Sequence, residues 1–273
     1  TAIYYLRQLL NSGWTIEQVA PLFQVKLTLG SNFFMEIAKV RALRLLWAEM
    51  IKSFGGEEDK QKVWIHGKTA KFNKTIYDIY VNVLRTTTES FAGVIGGVDS
   101  LEIGCFNELI AQPDEFSTRL ARNQQIILKE EAHFDKVIDP AGGCYYIEWL
   151  TNEMAKSAWQ LMQEIEGKGG MLEYMTKGEI HQEVETVVRE RIEAVNKRKN
   201  IFVGINMYAN PEEKLPTLQR DDKPASEEDK AFILKDGENR FVPFDDFERL
   251  KKDALKEKDI LVSVVGTLGN ACI

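Results

Sequence analysis

Cysteine is scarce in this 273-residue chain. Cys105, Cys144 and Cys272 are odd in number and far apart, and no C-x-x-C occurs. That spacing excludes a thiolate zinc cage and a disulfide framework, and it fits reduced thiols in a cytosolic or mitochondrial protein. Histidine is equally rare: His66, His133 and His181 sit in unrelated segments with no H-x-x-x-H or H-E-x-x-H spacing. A metal site built from this chain alone is therefore not expected. No apolar run reaches the roughly 18 residues of a membrane span. The start, Thr1-Ala2-Ile3-Tyr4, has neither the basic residues nor the small-residue cleavage site of a signal peptide. It also lacks an initiating Met, so the chain reads as a fragment or a processed product whose start lies upstream. An excess of basic residues is missing too. The net charge of −7 argues against nucleic acid, because phosphate binding needs a basic face.

What is present suits a soluble globular protein with a sizeable core: 44% hydrophobic and 28% charged residues. Short apolar runs near Phe23–Leu29, Lys62–His66 and Asp99–Gly104 read as strands. Between them lie helical patterns. Phe33, Ile37, Val40, Arg44 and Trp47 recur at steps of three and four, with Asn32 placed as a cap and Gly55-Gly56 as a stop. A second helix reads from Asn73, with Ile76, Tyr77, Tyr80, Val83 and Leu84 on its buried side, to about Val94. Gly96-Gly97 then turns the chain. This alternation predicts a parallel sheet covered by helices, hence an α/β fold.

After residue 115 the pattern becomes helical. Phe116–Ala132, Thr151–Gly167 and Glu179–Lys197 read as amphipathic helices, with a turn at Asp139-Pro140-Ala141-Gly142-Gly143. Ile201–Tyr208 reads as a strand. Residues 209–230 are rich in Pro, Lys, Asp and Glu and read as a linker. Phe247–Leu255 follows as a short helix and Ile260–Val265 as a buried strand, the start of an incomplete second domain at 231–273.

Two local features invite chemistry. Gly67-Lys68-Thr69 resembles the end of a P-loop, but Lys62 occupies the place of the first glycine that the motif needs. His66, by contrast, falls where a strand gives way to a loop, the end of a parallel sheet at which reacting groups collect. Ser100 and Glu108 flank the next strand in the same way. Each has a plain alternative, a structural histidine or a solvated loop acid. Glu183 and Glu185, beside His181 on a charged helix, read as a solvated face.

Longer strings carry a family resemblance. Asn32-Phe33-Phe34-Met35-Glu36-Ile37-Ala38-Lys39, Arg85-Thr86-Thr87-Thr88-Glu89, Phe116-Ser117-Thr118-Arg119-Leu120-Ala121-Arg122-Asn123 and Val137-Ile138-Asp139-Pro140-Ala141-Gly142-Gly143 resemble the methylmalonyl-CoA mutase family. Their order and spacing are kept over roughly residues 13–210. The resemblance implies the C-terminal part of a (β/α)8 TIM-type barrel with wrapping helices (1–208), then the linker, then the start of a flavodoxin-like cobalamin-type domain. Three strand–helix units cannot close a barrel of eight, so the remainder would come from upstream or from another chain. The family's adenosylcobalamin supplies a radical that drives a 1,2-shift on an acyl-CoA, while the protein binds, orients and excludes water.

Carried over by position, the resemblance makes His66 a candidate catalytic residue, Ser100 a candidate substrate (CoA) contact and Glu108 a candidate cofactor (ribose) contact. Other positions depart. Leu22 and Gln24 stand where catalytic chains have the Arg and Ser of "RLSFF". Lys68 stands two after the histidine where Gln or Glu is usual, and Gly104 stands where an Asn precedes the glutamate by four. The D-x-H-x-x-G cobalt-binding motif of the family's cobalamin domain is also missing: no D-x-H occurs anywhere. The resemblance is therefore to the small (β) subunit of two-subunit mutases. Such a chain is non-catalytic, pairs as a heterodimer with a large catalytic subunit that binds acyl-CoA and adenosylcobalamin, and resides in the cytoplasm. The alternative is a catalytic acyl-CoA mutase chain with an altered substrate. A part-barrel alone would expose apolar strand edges and associate.

Overall fold

A computed structural model describes residues 1–212 and the strand Val262–Val265. The elements run α1 (Ala2–Asn11), α2 (Ile16–Val19), β1 (Phe23–Leu29), α3 (Phe33–Ser53), β2 (Trp64–Thr69), α4 (Val81–Gly96), β3 (Ser100–Glu102), α5 (Glu115–Ile126), α6 (Tyr145–Gly167), α7 (Gly170–Thr176), α8 (Glu179–Asn196) and β4 (Val262–Val265). The strands form one parallel sheet in the order β3-β2-β1-β4. The fold is thus mixed α/β and mostly helical, as the alternation predicts. Of the expected strand Ile260–Val265, the described part pairs with β1, Phe23 opposite Val262. The linker beyond residue 212 and the helix at Phe247–Leu255 lie outside the described residues.

Strand alternation sorts the sheet into two chemically different faces. Phe23, Val25, Leu27 and Leu29 of β1 point one way and are buried. They join Ile3, Leu6 and Leu9 of α1, Val40, Trp47, Met50 and Ile51 of α3, and Ile65 of β2 in the main core. Each such side chain, fully buried, contributes about 1.5–3 kcal/mol. A smaller cluster of Ile37, Ala92, Ala141 and Ile147 seals α3, α4 and α6 together. The other face carries Gln24, Lys26, Thr28, Trp64, His66, Lys68, Ser100 and Glu102, all partly or well exposed.

Helix ends follow local chemistry. α3 stops in a Schellman turn: Gly56 N–H donates to Ile51 O at 3.0 Å, Gly55 N–H donates to Lys52 O at 2.9 Å, and Gly55 takes φ +84°. Asn32 is the N-cap as expected, but its side chain makes no capping hydrogen bond. α5 carries a capping box from Asp114, and its pattern ends in a π turn at Ile127–Glu131 rather than running as one α-helix to Ala132. α6 begins at Tyr145, six residues before the expected Thr151.

Three expectations are corrected. β2 does not end at His66 but runs through Gly67 and Lys68 to Thr69, so these residues form no phosphate loop. The second helix starts at Val81 rather than Asn73, and Tyr80 and Leu84 are exposed. Up to Ser90 the helix buries polar residues instead, Asn82, Thr86, Glu89 and Ser90, before Ala92, Gly93 and Gly96. Ile201–Tyr208 forms no strand, only an isolated bridge between Val203 and Met207.

Arg44 of α3 clamps one end of the sheet. Its guanidinium donates to Val63 O at 3.0 Å, to Gly97 O at 2.5 Å and to Asp99 Oδ2 at 2.8 Å. Asp99 Oδ2 also accepts from Ile65 N–H, so the N-terminal ends of β2 and β3 share one charged knot. Among the described residues no helix is long and apolar enough to cross a membrane.

Candidate functional site

Parallel register stacks the polar face into rows. Lys26 lies opposite His66 and His66 opposite Ser100; Thr28 lies opposite Lys68 and Lys68 opposite Glu102. Side chains on neighbouring strands at one level are about 4.8 Å apart, close enough to bond. They do. His66 Nδ1 is 2.8 Å from Ser100 Oγ, which also accepts from Trp64 Nε1 at 3.2 Å. The other ring nitrogen, Nε2, faces Glu102 Oε2 at 3.6 Å.

Glu102 is the hub. Its Oε1 accepts from Lys68 Nζ and its Oε2 from Lys26 Nζ at 3.5 Å. Burial alone would raise the carboxyl pKa. The Lys68 hydrogen bond and charge, aided by Lys26 and His66, outweigh that and hold it below the usual carboxylate range. At neutral pH Glu102 is an anion held between two ammonium groups.

Glu108 sits apart, in the turn after β3. Its side chain is only 11% exposed, Lys71 Nζ lies 3.9 Å away, and Oε1 has no hydrogen-bond partner. Burial pushes its pKa up against the pull of Lys71, Lys74 and Lys68. The carboxylate fills the space that a side chain at residue 104 would need: a Cβ on Gly104 would lie 2.6 Å from Glu108 Oε1. The departure at Gly104 and the position of Glu108 are therefore one packing solution.

Behind the sheet end lies a second ionic centre. Lys74 Nζ lies 2.8 and 2.7 Å from the two Glu89 oxygens and 3.1 Å from Asn73 Oδ1, and neither charged side chain has any exposure. Burial drives both toward their neutral forms, Glu89 up and Lys74 down, while each pulls the other back. Asn82, also fully buried, accepts from Thr75 N–H and donates to Thr75 O and Phe106 O. Together they hold residues 73–80 as a loop against α4.

Of the three candidates, the structure brings His66 and Ser100 into direct contact and leaves Glu108 outside their hydrogen-bonded set. His133 and His181 are exposed and join neither. Among the described residues no group of His, Cys, Asp and Glu could hold a metal ion. Sequence reasoning missed Glu102, Lys74, Glu89 and Asn82. Glu102 was accessible, since it lies two residues after Ser100 and so on the same face. Asn82 and Glu89 gave no signal because apolar periodicity does not register a polar helix face, and Lys74 lies in the loop before that helix.

The methylmalonyl-CoA mutase family model matches residues 1–240. The chain belongs to the methylmalonyl-CoA mutase family. It is 42% identical to the methylmalonyl-CoA mutase small subunit of Porphyromonas gingivalis over 207 residues, covering 75% of this chain and 34% of that one. It is 38% identical to the large subunit of the same organism over 210 residues, 77% of this chain and 29% of that one. With the large subunit of Propionibacterium freudenreichii subsp. shermanii it shares 33% identity over 268 residues, 97% of this chain and 35% of that one. The chain thus spans about a third of the length of the curated relatives it matches. Adenosylcobalamin is the cofactor implied for this mutase family. On the described polar face His66 contacts Ser100 and Lys68 contacts Glu102, while the buried Glu108 Oε1 and Asn107 Oδ1 are left without a partner.

Proposed function

We propose that this chain is part of a small, non-catalytic subunit of methylmalonyl-CoA mutase. It would contribute the C-terminal part of a (β/α)8 barrel (1–208), a linker (209–230) and the start of a flavodoxin-like domain (231–273), against which stands the pairing of β4 with β1 in one sheet. In this reading a large catalytic subunit binds adenosylcobalamin and interconverts methylmalonyl-CoA and succinyl-CoA in the cytoplasm. This chain supports it as the other half of a heterodimer. The observation that carries the reading is the closed network from Trp64 through Ser100 and His66 to Glu102, Lys68 and Lys26. In this arrangement Ser100 and Glu102, rather than a substrate, engage His66, Lys68 and Lys26. Leu22 and Gln24, where catalytic relatives have Arg and Ser, point the same way. Losing a charge-assisted contact of that kind costs about 1.5–3 kcal/mol of binding. Exposed aromatics at the starts of α3 and α6, among them Phe34, Tyr146 and Trp149, supply the sort of surface an interface covers.

A second reading keeps the chain catalytic on a different acyl-CoA, with Ser100 contacting CoA, Glu108 contacting the cofactor ribose and His66 at the reacting centre. The unpartnered Glu108 oxygen favours it. Mixing decides between them. The full-length chain, alone and with the large subunit of the same source, is titrated with adenosylcobalamin and methylmalonyl-CoA while the cobalamin spectrum and product are followed. Activity only on mixing is the expected result. Cofactor binding and turnover by the chain alone would replace the first reading with the second.

A further inference from the structure

We infer that Lys26, His66 and Lys68 form a binding site for a small carboxylate, which Glu102 closes as an internal ligand. Two ammonium groups and an imidazole from two neighbouring strands converge on one carboxylate supplied by a third. Each Glu102 oxygen has its own ammonium donor: Lys68 at Oε1 and Lys26 at Oε2, 3.5 Å away, where His66 Nε2 also approaches to 3.6 Å. This is a two-point reading of a carboxylate, one donor per oxygen, and positive charge exceeds negative charge around it. The Glu102 side chain is 45% exposed. A rotation about its χ1 carries the carboxylate into solvent without disturbing the core, which lies on the opposite face.

The cationic groups share one face of β1 and β2. Lys26 and His66 face each other across β1 and β2, and His66 is fixed further by Ser100. Displacing Glu102 therefore leaves two ammonium groups and a Ser100-held imidazole on one face without their anion, and the ligand that matches them has the shape of what left: a free mono- or dicarboxylate. In the intact chain the tethered Glu102 competes with such a ligand at high effective concentration, so affinity is low until that competition is removed. The inference concerns these four residues alone and holds for either reading of the chain's role.

Propionate is the probe, since it reproduces the Glu102 side chain beyond its Cα. Full-length wild type, Glu102→Ala and Glu102→Ala/Lys68→Met are titrated with sodium propionate, with sodium chloride at equal ionic strength as the control. Binding is read from the rise in Tm, because a ligand bound only to the native state stabilises it, and from movement of the His66 ring resonances. The expected result is propionate binding to Glu102→Ala at least about tenfold tighter than to wild type, lost again in the double variant. Circular dichroism confirms folding, and Glu102→Ser serves the same purpose if the alanine variant does not fold. A folded Glu102 variant that binds propionate no better than wild type, or that keeps binding without Lys68, overturns the inference. Neither outcome depends on mutase turnover, so it is read separately from the mixing experiment.

Discussion

Two lysine–glutamate pairs in this chain share a chemistry and differ in almost everything else. Lys74 and Glu89 have no exposure, whereas Lys68 and Glu102 are 28% and 45% exposed. Glu89 is pushed up by burial, while for Glu102 burial is outweighed by Lys68, Lys26 and His66 together, which hold it down. The same contact is thus a structural commitment in one place and a replaceable, solvent-screened link in the other. Depth rather than distance separates them.

Breaking the deep pair has the largest expected effect. Lys74→Met strands a buried carboxylate and costs about 3–5 kcal/mol in urea unfolding of the full-length chain. Lys74→Met/Glu89→Leu recovers most of that loss. A double variant as unstable as the single one would mean that the hydrogen bonds of Asn73 hold the loop rather than the charge balance. Asn82→Ala comes next. It removes the partner of Thr75 N–H, Thr75 O and Phe106 O, at about 1–3 kcal/mol for each group left without water or a substitute. Native-state hydrogen exchange at Thr75 checks that the loss is local.

Adjacent positions on opposite faces of β2 sharpen the contrast. A Cβ on Gly67 would lie 2.9 Å from Leu29 Cδ1 and 3.1 Å from Val98 Cγ1. Gly67→Ala is therefore expected to cost about 1–3 kcal/mol by overpacking. Lys68→Met, one residue on but facing the polar side, should stay within about 1 kcal/mol. Equal denaturant midpoints for the two variants would remove the distinction between the faces.

The smallest effect is in the pH dependence, where the two acids have opposite signs. Glu102 has a folded pKa below its unfolded value. Its stabilisation is present above the ordinary carboxylate pKa and is lost as pH falls through the folded one. Glu89 has a folded pKa above its unfolded value. Its contribution is full below the ordinary carboxylate pKa and declines as pH rises toward the folded one. Carboxyl-carbon NMR titration should place the Glu102 midpoint below the ordinary value and the Glu89 midpoint above it. Glu102→Gln should flatten the acid side of the stability curve, and an unchanged curve would remove Glu102 from it.

Legibility in the sequence tracked polarity. β1 was readable at both ends because its apolar residues alternate cleanly and the buried side is all hydrocarbon. β2 was cut short because Gly67 and Lys68 look like loop residues. Gly67 is there because Leu29 needs the space, a tertiary reason that no local pattern carries. The false start at Asn73 arose because residues 73–80 have helix-like apolar spacing, yet Asn82, Lys74 and Glu89 hold them as a loop through buried polar contacts. His66 and Ser100 were legible as polar residues near strands, but His66 lies inside β2 and Ser100 opens β3, so the expected strand-end position of His66 does not hold. That they bond each other, and that Glu102 completes the set, required the register between strands.

The clamp at Arg44 has a consequence for motion. One guanidinium fastens the N-terminal ends of β2 and β3, while the opposite ends open into the turn after β3 and the loop of residues 73–80. Amide exchange should therefore be graded along each strand, slowest near Ile65 and faster toward Thr69 and Ile103. Where one end of a sheet is anchored in this way, the loops at the other can lengthen or change sequence without loosening the anchored end. Tolerance to substitution in this chain then has a preferred direction, away from Arg44 and toward the carboxyl ends of the strands.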